Sequence, residues 1–468
     1  MSVLSPKPRA VAGEPTSKVW RYVKLGDLGR WFGGGTPSKV NPQFWNGGDI
    51  PWVSPKDMKT PRISDAEDHI TREAVENSAT NLVNAGSVLV VVRSGILKHT
   101  LPIAVTEREV ALNQDLKAVT PSKEIRADFL AMALKAFEQE ILQTCCKSGT
   151  TVQNIEMPVF LRFEIPLPPL DEQREIVAEI EKQFTRLEAG VGALKRVQGN
   201  LKRYRAAVLK AACEGKLVPT EAELAKADGR LYETGEQLLQ RILTERRKNW
   251  TGRGKYKEST TPDTTNLPEI PEGWTWASVD QIASVALGKM LDKAKHQTGN
   301  KLRYLRNINV RWGRVDTDDC LEMFFEENEI ERFAVCAGDV LVCEGGEPGR
   351  AALWDGRDTG MMYQKAIHRV RFFGQFEAKY LVFLLEFLAK TGRLERWFTG
   401  STIKHFTRES FISLPIPLPP LSEQKRIVEE VERRLSVIDE MEATVSANLQ
   451  RATRLRQSIL QKSFIPIK

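Results

Sequence analysis

The chain has 468 residues, of which 41% are hydrophobic and 28% charged, and these values favour a folded soluble protein over a disordered one. The sequence contains no apolar run near the ~20 residues of a membrane-spanning helix, and its first 18 residues lack the apolar core of a signal peptide. The six cysteines form no CxxC pair, so we expect reduced thiols and a cytoplasmic protein. The net charge of +7 favours an anionic partner.

Two Pro-rich segments indicate that the chain is built from a repeat. "IPLPPLDEQREIV" at residues 165–177 recurs as "IPLPPLSEQKRIV" at residues 416–428, which is 251 positions later. The similarity extends upstream, because Trp20 matches Trp274 with a small change of offset. A repeat of this length predicts two copies of one unit, in which a mixed globular region precedes a long helix.

In chain order, the repeat divides the sequence into six predicted segments. Thr234 and Gln237 have the spacing of a capping box, which predicts one short helix over 234–250 between the two copies. The fold class that follows is α+β, with two mixed α/β domains joined by two long antiparallel coiled-coil helices. The predicted segments are a flexible tail (1–18), a first globular domain (19–165), a first long helix (166–216), a connector (217–272), a second globular domain (273–416) and a second long helix (417–468).

Each Pro-rich segment predicts a corner between a strand and a helix. The three prolines hold the chain extended and cannot lie inside a helix. Asp171 in the first copy and Ser422 in the second follow them, and both residue types are favourable N-caps. Glu172 and Glu423 then place negative charge in the first helical turn, where the helix dipole favours it. The repeated motif therefore predicts a structural role and not a catalytic one.

Both long helices carry a hydrophobic residue at nearly every seventh position, which is the period of a coiled coil. Packing of one helix against the other within the chain would bury both stripes, and we favour it over the alternative, a coiled coil between two copies of the chain. The predicted helix-pairing residues are Ile180, Leu187, Leu194, Leu201 and Val208 in the first helix and Val431, Ile438, Val445, Ala452 and Ile459 in the second.

The sequence contains no complete methyltransferase motif, no Walker loop and no histidine spacing typical of a metal site. "NPQF" (41–44) departs from the Asn/Asp-Pro-Pro-aromatic segment of adenine-N6 methyltransferases at Gln43. The Gly-rich "WFGGGTPS" (31–38) lacks the setting of an S-adenosylmethionine loop, and there is no Walker loop. The five histidines show no metal-ligand spacing. We therefore expect a recognition and assembly protein with no catalytic residues, metal or cofactor of its own.

Two similar domains on a rigid connection suit a ligand with two separated sites, and duplex DNA is the ligand that a basic chain favours. Arg, Lys, Asn and Gln read base edges, whereas Lys, Ser and Thr hold phosphates. For each such residue the alternative is a solvated surface charge or a turn residue. The predicted DNA-binding residues are Thr36, Ser38, Lys39, Lys56, Lys59, Arg93, Lys98 and Gln114 in the first domain and Lys289, Lys293, Arg303, Arg306, Asn307, Asn309, Arg311, Arg350, Gln364 and Lys365 in the second.

From about residue 19 to its end, the chain resembles a specificity (S) subunit of a type I restriction–modification system. Besides the two Pro-rich segments, the motifs that carry the resemblance are "GGTPS" (34–38), "DIPW" (49–52) and "NQDLKAV" (113–119) in the first copy and "YLRNINV" (304–310), "GDVLVCEGG" (338–346), "YQKAIHRVR" (363–371) and "GSTIKHFT" (400–407) in the second.

The resemblance implies a non-catalytic subunit in which each of two target-recognition domains reads one half of a bipartite, asymmetric DNA site. The two helices would set the spacer between the half-sites and dock two modification subunits, which bind S-adenosylmethionine and methylate a flipped adenine. Two restriction subunits would add cleavage that depends on ATP and Mg. The alternatives are a freestanding coiled-coil DNA-binding protein and a self-sufficient methyltransferase that uses "NPQF".

Overall fold

The computed structural model describes residues 20–147, 152–251, 254–291 and 298–465. These residues form two compact units: unit 1 lies within Met1–Lys195 and Ser446–Lys468, and unit 2 spans Arg196–Val445. The two longest helices, Leu170–Cys213 and Leu421–Ser463, contribute residues to both units.

Unit 1 is built from short strands in mixed sheets. Its strands are β1 (Arg21–Lys24), β2 (Gly29–Gly33), β3 (Ile50–Val53), β4 (Arg62–Ile63), β5 (His69–Ile70), β6 (Leu82–Val83), β7 (Val88–Val91), β8 (Arg93–Ser94), β9 (Ile103–Thr106), β10 (Val110–Leu112), β11 (Leu116–Pro121), β12 (Cys146–Lys147), β13 (Gln153–Ile155) and β14 (Glu164–Leu167). Its helices are α1 (Arg72–Glu76), α2 (Ala127–Ala136), α3 (Glu138–Cys145), α4 (Met157–Phe160) and the first part of α5 (Leu170–Cys213).

The main sheet of unit 1 has the strand order β2-β11-β7-β9-β4, and a second sheet has the order β5-β3-β10-β6. At the centre lies β7, whose four residues "VLVV" are all buried, as expected for a strand covered on both faces. Phe129 and Leu130 of α2 join its core, and so do Leu460 and Phe464 from the end of the second long helix.

Unit 2 has a similar composition of elements. Its strands are β15 (Thr275–Ser278), β16 (Ala283–Leu287), β17 (Asn300–Leu305), β18 (Val310–Arg311), β19 (Arg314–Val315), β20 (Leu321–Phe325), β21 (Val340–Cys343), β22 (Ala351–Leu353), β23 (Met362–Tyr363), β24 (Ile367–Phe372) and β25 (Pro415–Leu418). Its helices, besides the end of α5, are α6 (Glu221–Asp228), α7 (Gly235–Lys248), α8 (Val279–Ile282), α9 (Glu327–Phe333), α10 (Ala378–Lys390), α11 (Arg408–Ile412) and the first part of α12 (Leu421–Ser463).

The two units share one topology. β11 pairs antiparallel with β2 and β7, and β24 pairs in the same way with β16 and β21. β3 runs parallel to β10, as β17 runs parallel to β23. In each unit the first strand pairs with the strand before the long helix, as β1–β14 and as β15–β25. The predicted α+β fold with an internal two-fold repeat and two long helices is confirmed.

The long helices are antiparallel within each unit. In unit 1, Ile180 shares a core with Leu460, and further along α5 Glu188 accepts a hydrogen bond from Arg456 (3.0 Å). The two helices therefore run in opposite directions in this unit. In unit 2, Arg205 of α5 forms an ion pair with Asp439 of α12.

The predicted helix-pairing residues lie on the inner side of these helices to different degrees. Leu187, Leu194 and Ala452 line a cavity of about 450 Å³, so this stretch of unit 1 is less densely packed. The buried residues are Ile180, Leu201, Val208, Val431, Ile438 and Val445, and the half-buried ones are Leu187, Leu194, Ala452 and Ile459.

The connector holds two helices where the sequence predicted one. Thr234 caps α7 and forms the predicted capping box with Gln237. The preceding helix α6 was not predicted, although Thr220 and Glu223 have the same spacing and form a capping box of their own. Helix α6 therefore begins with the same capping-box signal as α7. This signal spans only four residues and is easily overlooked in a polar segment.

The corner between strand and long helix is held by equivalent side chains in both units. The indole of Trp20 donates to Glu172 Oε1 (3.0 Å), and the indole of Trp274 donates to Glu423 Oε1 (2.9 Å). The two glutamates therefore anchor the entry of each unit to its helix, in addition to their favourable position in the first turn.

The glutamine that follows each of these glutamates joins a third element to the corner. Oε1 of Gln173 accepts the backbone N–H of Arg126 (2.9 Å), and Oε1 of Gln424 accepts that of Glu377 (3.0 Å). Arg126 and Glu377 are the N-cap residues of α2 and α10. Each glutamine also donates to the proline carbonyl five residues earlier (2.9 Å). In each unit the Glu-Gln pair thus connects three elements by hydrogen bonds: the strand before the long helix, the long helix itself, and helix α2 or α10.

The predicted N-caps at Asp171 and Ser422 are wrong. The helices begin at Leu170 and Leu421, so their N-caps are Pro169 and Pro420, two residues before the predicted ones. The backbone N–H of Gln173 and that of Gln424 already bond to these proline carbonyls (2.9 and 3.0 Å). Asp171 and Ser422 consequently lie inside the first turn, where a short polar side chain is still tolerated.

We expect Gln424→Ala to lower the free energy of unfolding by about 2–4 kcal/mol, because it removes two hydrogen bonds and leaves buried backbone groups unpaired. Urea titration followed by circular dichroism measures this change. Gln461→Ala is the matched control, since Gln461 is exposed on the same helix. A loss below about 1 kcal/mol for Gln424→Ala would contradict the corner role.

Candidate nucleic-acid interface

Loops from distant parts of the sequence meet at one edge of unit 1. The backbone N–H groups of Val92 and Arg93 donate to the carbonyl of Asp115 (2.8 and 3.3 Å), and that of Ile155 donates to the carbonyl of Val92 (2.8 Å). The loops that follow β7 and β10 are therefore held together with β13. We call this the loop edge of unit 1, comprising residues 34–39, 92–98, 113–115 and 153–155.

Unit 2 builds the same edge with the same backbone bonds. The N–H of Glu344 donates to the carbonyl of Ala366 (2.9 Å), and that of Phe406 donates to the carbonyl of Glu344 (2.8 Å). These residues occupy the repeat positions of Val92, Asp115 and Ile155. The loop edge of unit 2 comprises residues 288–291, 344–350, 364–366 and 399–406.

A glycine permits the close approach of the first loop in each unit. A Cβ atom on Gly34 would lie 1.8 Å from the carbonyl oxygen of Asn113, and a Cβ atom on Gly288 would lie 2.3 Å from that of Tyr363. No other residue fits at these contacts, because they are far below van der Waals distance. The glycines fix the backbone beside Gln114 in unit 1 and Gln364 in unit 2, although the strand pairing places Gln364 at the position of Asn113, so the two glutamines are one residue out of register.

The predicted DNA-binding residues of unit 1 fall into two groups. Thr36 and Gln114 are brought together, since the Thr36 hydroxyl donates to Gln114 Oε1. Lys56 and Lys59 lie on another loop: Lys56 bonds to Asp68 (2.9 Å), and Lys59 lines a cleft of about 1190 Å³ beside α2. The residues within the loop edge are Thr36, Ser38, Lys39, Arg93, Lys98 and Gln114, all exposed except the half-buried Thr36.

Two of the residues predicted to bind DNA in unit 2 are buried and have structural roles, so these two predictions are wrong. Lys289 is 4% exposed, donates to the carbonyl of Phe324 (2.9 Å) and pairs with Glu329. Asn309 is 2% exposed, and its side chain accepts the N–H of Arg306 (2.9 Å) and donates to two carbonyls of the following turn (3.0 Å). Neither side chain is accessible to a ligand.

The remaining predicted residues of unit 2 differ in whether their side chains already form hydrogen bonds or ion pairs within the chain. Asn307 joins the loop edge, because its side chain donates to the carbonyl of Gly345 (3.2 Å) and its carbonyl accepts from Arg350 (2.8 Å). Arg303 and Arg306 pair with acidic neighbours. Gln364 is half-buried on the loop edge, and Arg311 and Lys365 are exposed. Lys293 lies outside the described residues.

Several basic side chains around the two edges have no acidic partner. Within the described parts of the chain, no ion pair forms at Lys39, Arg93, Lys98, Arg311 or Lys365. An exposed cation without an internal partner is available to a phosphate at little desolvation cost. Among the predicted DNA-binding residues that the structure describes, these five are therefore free to contact a phosphate.

The prediction missed two residues of the loop edges, one on β13 and one at an isolated β-bridge of unit 2. Asn154 pairs across from Arg93 between β13 and β8, and His405 forms a bridge with Thr399 in unit 2. Both side chains are exposed on the loop edges. The repeat register offered the signal, because "VQNI" (152–155) stands opposite "IKHF" (403–406).

A buried histidine is hydrogen-bonded to the backbone of the loop edge of unit 2. His368 of β24 is fully buried, and its Nε2 donates to the carbonyl of Phe406 (2.7 Å), whose N–H holds Glu344. Burial lowers the pKa of His368 to about 4. The neutral imidazole is therefore the form that maintains this edge.

Acid is expected to weaken unit 2 through His368. A folded pKa of about 4 against an unfolded value of 6.5 gives stability that is present above pH 6.5 and is lost as the pH falls toward 4. This loss amounts to about 3 kcal/mol. In urea titrations at pH 7 and pH 4, His368→Gln should show a smaller drop than the unmodified chain. The exposed His405→Gln is the control, and an equal drop in all three proteins would refute the role of His368.

Across the described ranges, no cluster of three or more His, Cys, Asp or Glu side chains could hold a metal ion. In the same part of the chain, no helix is both long enough and apolar enough to span a bilayer.

A solved structure with the same fold comes from a study of complex assembly and conformational transition of the type I R-M system. Its chain aligns over 95% of this chain and 97% of its own length, with a TM-score of 0.61 and 17% sequence identity. At this identity the likeness concerns the fold alone.

Sequence relatives match parts or most of the chain. The EcoR124I/EcoR124II specificity subunit of Escherichia coli is 42% identical over 158 residues, which are 34% of this chain and 39% of the relative. The EcoDI specificity subunit of Escherichia coli is 23% identical over 463 residues, or 95% of this chain and 88% of the relative. The chain thus spans well under half of the length of the more similar of these two relatives.

A family model covers both units. The type I restriction modification DNA specificity domain matches residues 17–193 and again 271–451, which together exceed half of the chain. The two matches coincide with the two copies of the repeat, and each includes a loop edge and the start of a long helix. The resemblance inferred from the motifs is confirmed, and the chain belongs to the family of type I restriction–modification specificity subunits.

Proposed function

We propose that this chain reads DNA sequence for a type I restriction–modification complex, with each unit reading one half of a bipartite, asymmetric duplex site. The observation that carries the proposal is the pair of loop edges: equivalent backbone hydrogen bonds hold loops of different sequence in both units. A shared frame with different side chains is suited to reading two different half-sites.

The side chains of the loop edges supply the chemistry that such reading requires. Lys39, Arg93 and Lys98 in unit 1 would neutralise phosphates, and Gln114 would reach base edges through its amide. In unit 2, Arg311 and Lys365 would take the phosphate role and Gln364 the amide role. Residues that are already paired, such as Arg303, would contribute less, because binding would first break an existing ion pair.

The long helices would set the spacer between the half-sites and dock two modification subunits. The long helices carry exposed apolar side chains that are available to a protein partner, such as Tyr204 (47% exposed) and Leu455 (51% exposed). Those partners would bind S-adenosylmethionine and methylate adenine. Two restriction subunits would bring the ATP- and Mg-dependent cleavage, and this chain would remain non-catalytic.

Co-expression with a type I modification subunit tests the proposal. We expect a complex with two modification subunits per chain, and N6-methyladenine at one bipartite sequence that appears only when both proteins are present. Light scattering measures the stoichiometry, and genome-wide methylation mapping measures the sequence. Site-specific DNA binding without any complex would favour a freestanding DNA-binding protein, and methylation by the purified chain alone would refute the non-catalytic role.

A further inference from the structure

We infer that Asn307 of unit 2 reads an adenine through the major-groove edge of the base. The inference rests on the proposed function and adds to it one base and the side chain that recognises this base. Asn307 has a fixed backbone, a side-chain amide with one orientation, and two hydrogen-bonding groups that remain available to a ligand.

The backbone of Asn307 is held on two sides. Asn307 begins a single 3-10 turn that follows β17 and ends at Asn309. The buried Asn309 side chain accepts the N–H of Arg306 (2.9 Å) and so closes this turn. The carbonyl of Asn307 accepts a hydrogen bond from the Arg350 guanidinium (2.8 Å). Asn307 is therefore fixed to the loop that follows β21, which belongs to the loop edge of unit 2.

The side-chain amide of Asn307 has a defined orientation. Its Nδ2 donates to the carbonyl of Gly345 (3.2 Å). A carbonyl oxygen only accepts hydrogen bonds, so the amide nitrogen, and not the amide oxygen, must face Gly345. Gly346 has a φ of +80°, and a Cβ atom there would lie 2.8 Å from Asn307 Nδ2. Any other residue at Gly346 would therefore displace the amide.

Two hydrogen-bonding groups of this amide remain available. Oδ1 of Asn307 has no partner among the described residues, and it is accessible to solvent. Nδ2 carries a second hydrogen besides the one bonded to Gly345. The half-buried side chain thus presents one acceptor and one donor side by side at the loop edge.

Adenine is the base that complements this pair of groups in the major groove. It presents the N6 amino donor beside the N7 acceptor, whereas guanine presents two acceptors, cytosine a donor, and thymine an acceptor and a methyl group. Asn307 Oδ1 would accept from N6 while Nδ2 donates to N7. Because the amide is already oriented, binding costs less conformational entropy than it would for a mobile side chain.

Unit 1 closes the same turn without such a side chain. The N–H of Ser54 donates to Asp57 Oδ2 (2.8 Å), as that of Arg306 donates to Asn309. By this correspondence Pro55 takes the place of Asn307, and the proline side chain forms no hydrogen bonds. The contact with adenine therefore concerns the half-site that unit 2 reads.

Selection of bound duplexes from a randomised library, with the full chain in complex with a type I modification subunit, tests the inference. Sequencing gives the base preference at every position. Asn307→Ala should lower the preference for adenine at one position of one half-site by about tenfold or more and leave the other half-site unchanged. Asn249→Ala is the control, because Asn249 is exposed at the end of α7, and it should leave every position unchanged.

A modified base gives a second measurement without any change in the protein. 7-Deazaadenine lacks the N7 acceptor, so at the position of the contacted adenine it should weaken binding of the unmodified chain by about threefold or more. Asn307→Ala, verified as folded by urea titration, should bind both duplexes equally.

Unchanged preferences in Asn307→Ala, or a changed position that specifies another base, would overturn the inference. So would a 7-deazaadenine effect that is absent at every adenine of the site or equal in both proteins. These results leave the proposed function intact, whereas the absence of any preferred sequence for the unmodified chain would refute the proposed function and the inference together.

Discussion

Charge reversal of Arg93 and Lys98 together is expected to weaken binding of specific duplex DNA by about 100-fold or more, because a hydrogen bond to a charged group contributes about 1.5–3 kcal/mol and each 1.4 kcal/mol is about tenfold in affinity. Both side chains are exposed on the loop edge of unit 1, and neither has an ion pair within the described chain. Their replacement by Glu removes two cations and repels the phosphates they would hold. Because each contact releases counterions, the slope of log affinity against log salt should fall by about two.

The matched control is the double variant Lys24→Glu and Lys123→Glu, which changes the net charge equally. Both residues are exposed in unit 1, but they lie near the opposite end of β11 from Asp115, beside the start of β2. Fluorescence anisotropy at two salt concentrations measures both pairs, and unfolding curves verify that each variant is folded. Equal weakening by the two pairs would mean that overall charge, and not the loop edge, binds DNA.

Truncation of Phe464 to Ala is expected to lower the free energy of unfolding of unit 1 by about 3–5 kcal/mol. Phe464 follows the last turn of α12 and is 2% exposed. Its ring centroid lies 5.1 Å from that of Phe129 and 6.4 Å from that of Phe137. The loss would release the end of α12 from α2, so protection against hydrogen exchange should fall in both helices.

Ile465→Ala provides the comparison, because the neighbouring Ile465 is 61% exposed and its truncation should change the stability by no more than about 0.5 kcal/mol. Urea titration measures the stability of both variants, and hydrogen exchange with mass spectrometry locates the change. If the two truncations had the same small effect, the aromatic cluster would not anchor the helix.

Features with a long period or an exact repeat could be predicted from the sequence. The heptad stripes identified both long helices, and the duplicated Pro-rich segment located both corners, because these signals span many residues. The N-caps were predicted two residues too late, since a short polar residue soon after the prolines is tolerated both as an N-cap and inside the first turn. The corner bonds of Gln173 and Gln424 were missed, because their partners lie about 47 residues away in the chain.

The binding residues were harder to predict, because a sequence does not reveal which polar side chains are already satisfied. Lys289 and Asn309 lie in a basic, variable segment and resemble ligand-binding residues, but long-range partners bury both. Arg93 and Gln114 were selected by the same reasoning and are exposed on a loop edge. Burial in a globular unit is a tertiary property, so residue type alone cannot separate these cases.

The hydrogen bonds that join the loops at each edge have a consequence for how recognition changes over time. They connect backbone atoms alone, from Val92 to Asp115 and from Glu344 to Ala366, and so they are indifferent to the side chains that the loops carry. Mutation can therefore alter the surface that faces a ligand while the support beneath it keeps its geometry. Under the proposed function, such a chain would acquire a new target by substitution of a few loop residues, or by inheriting a whole unit from a relative.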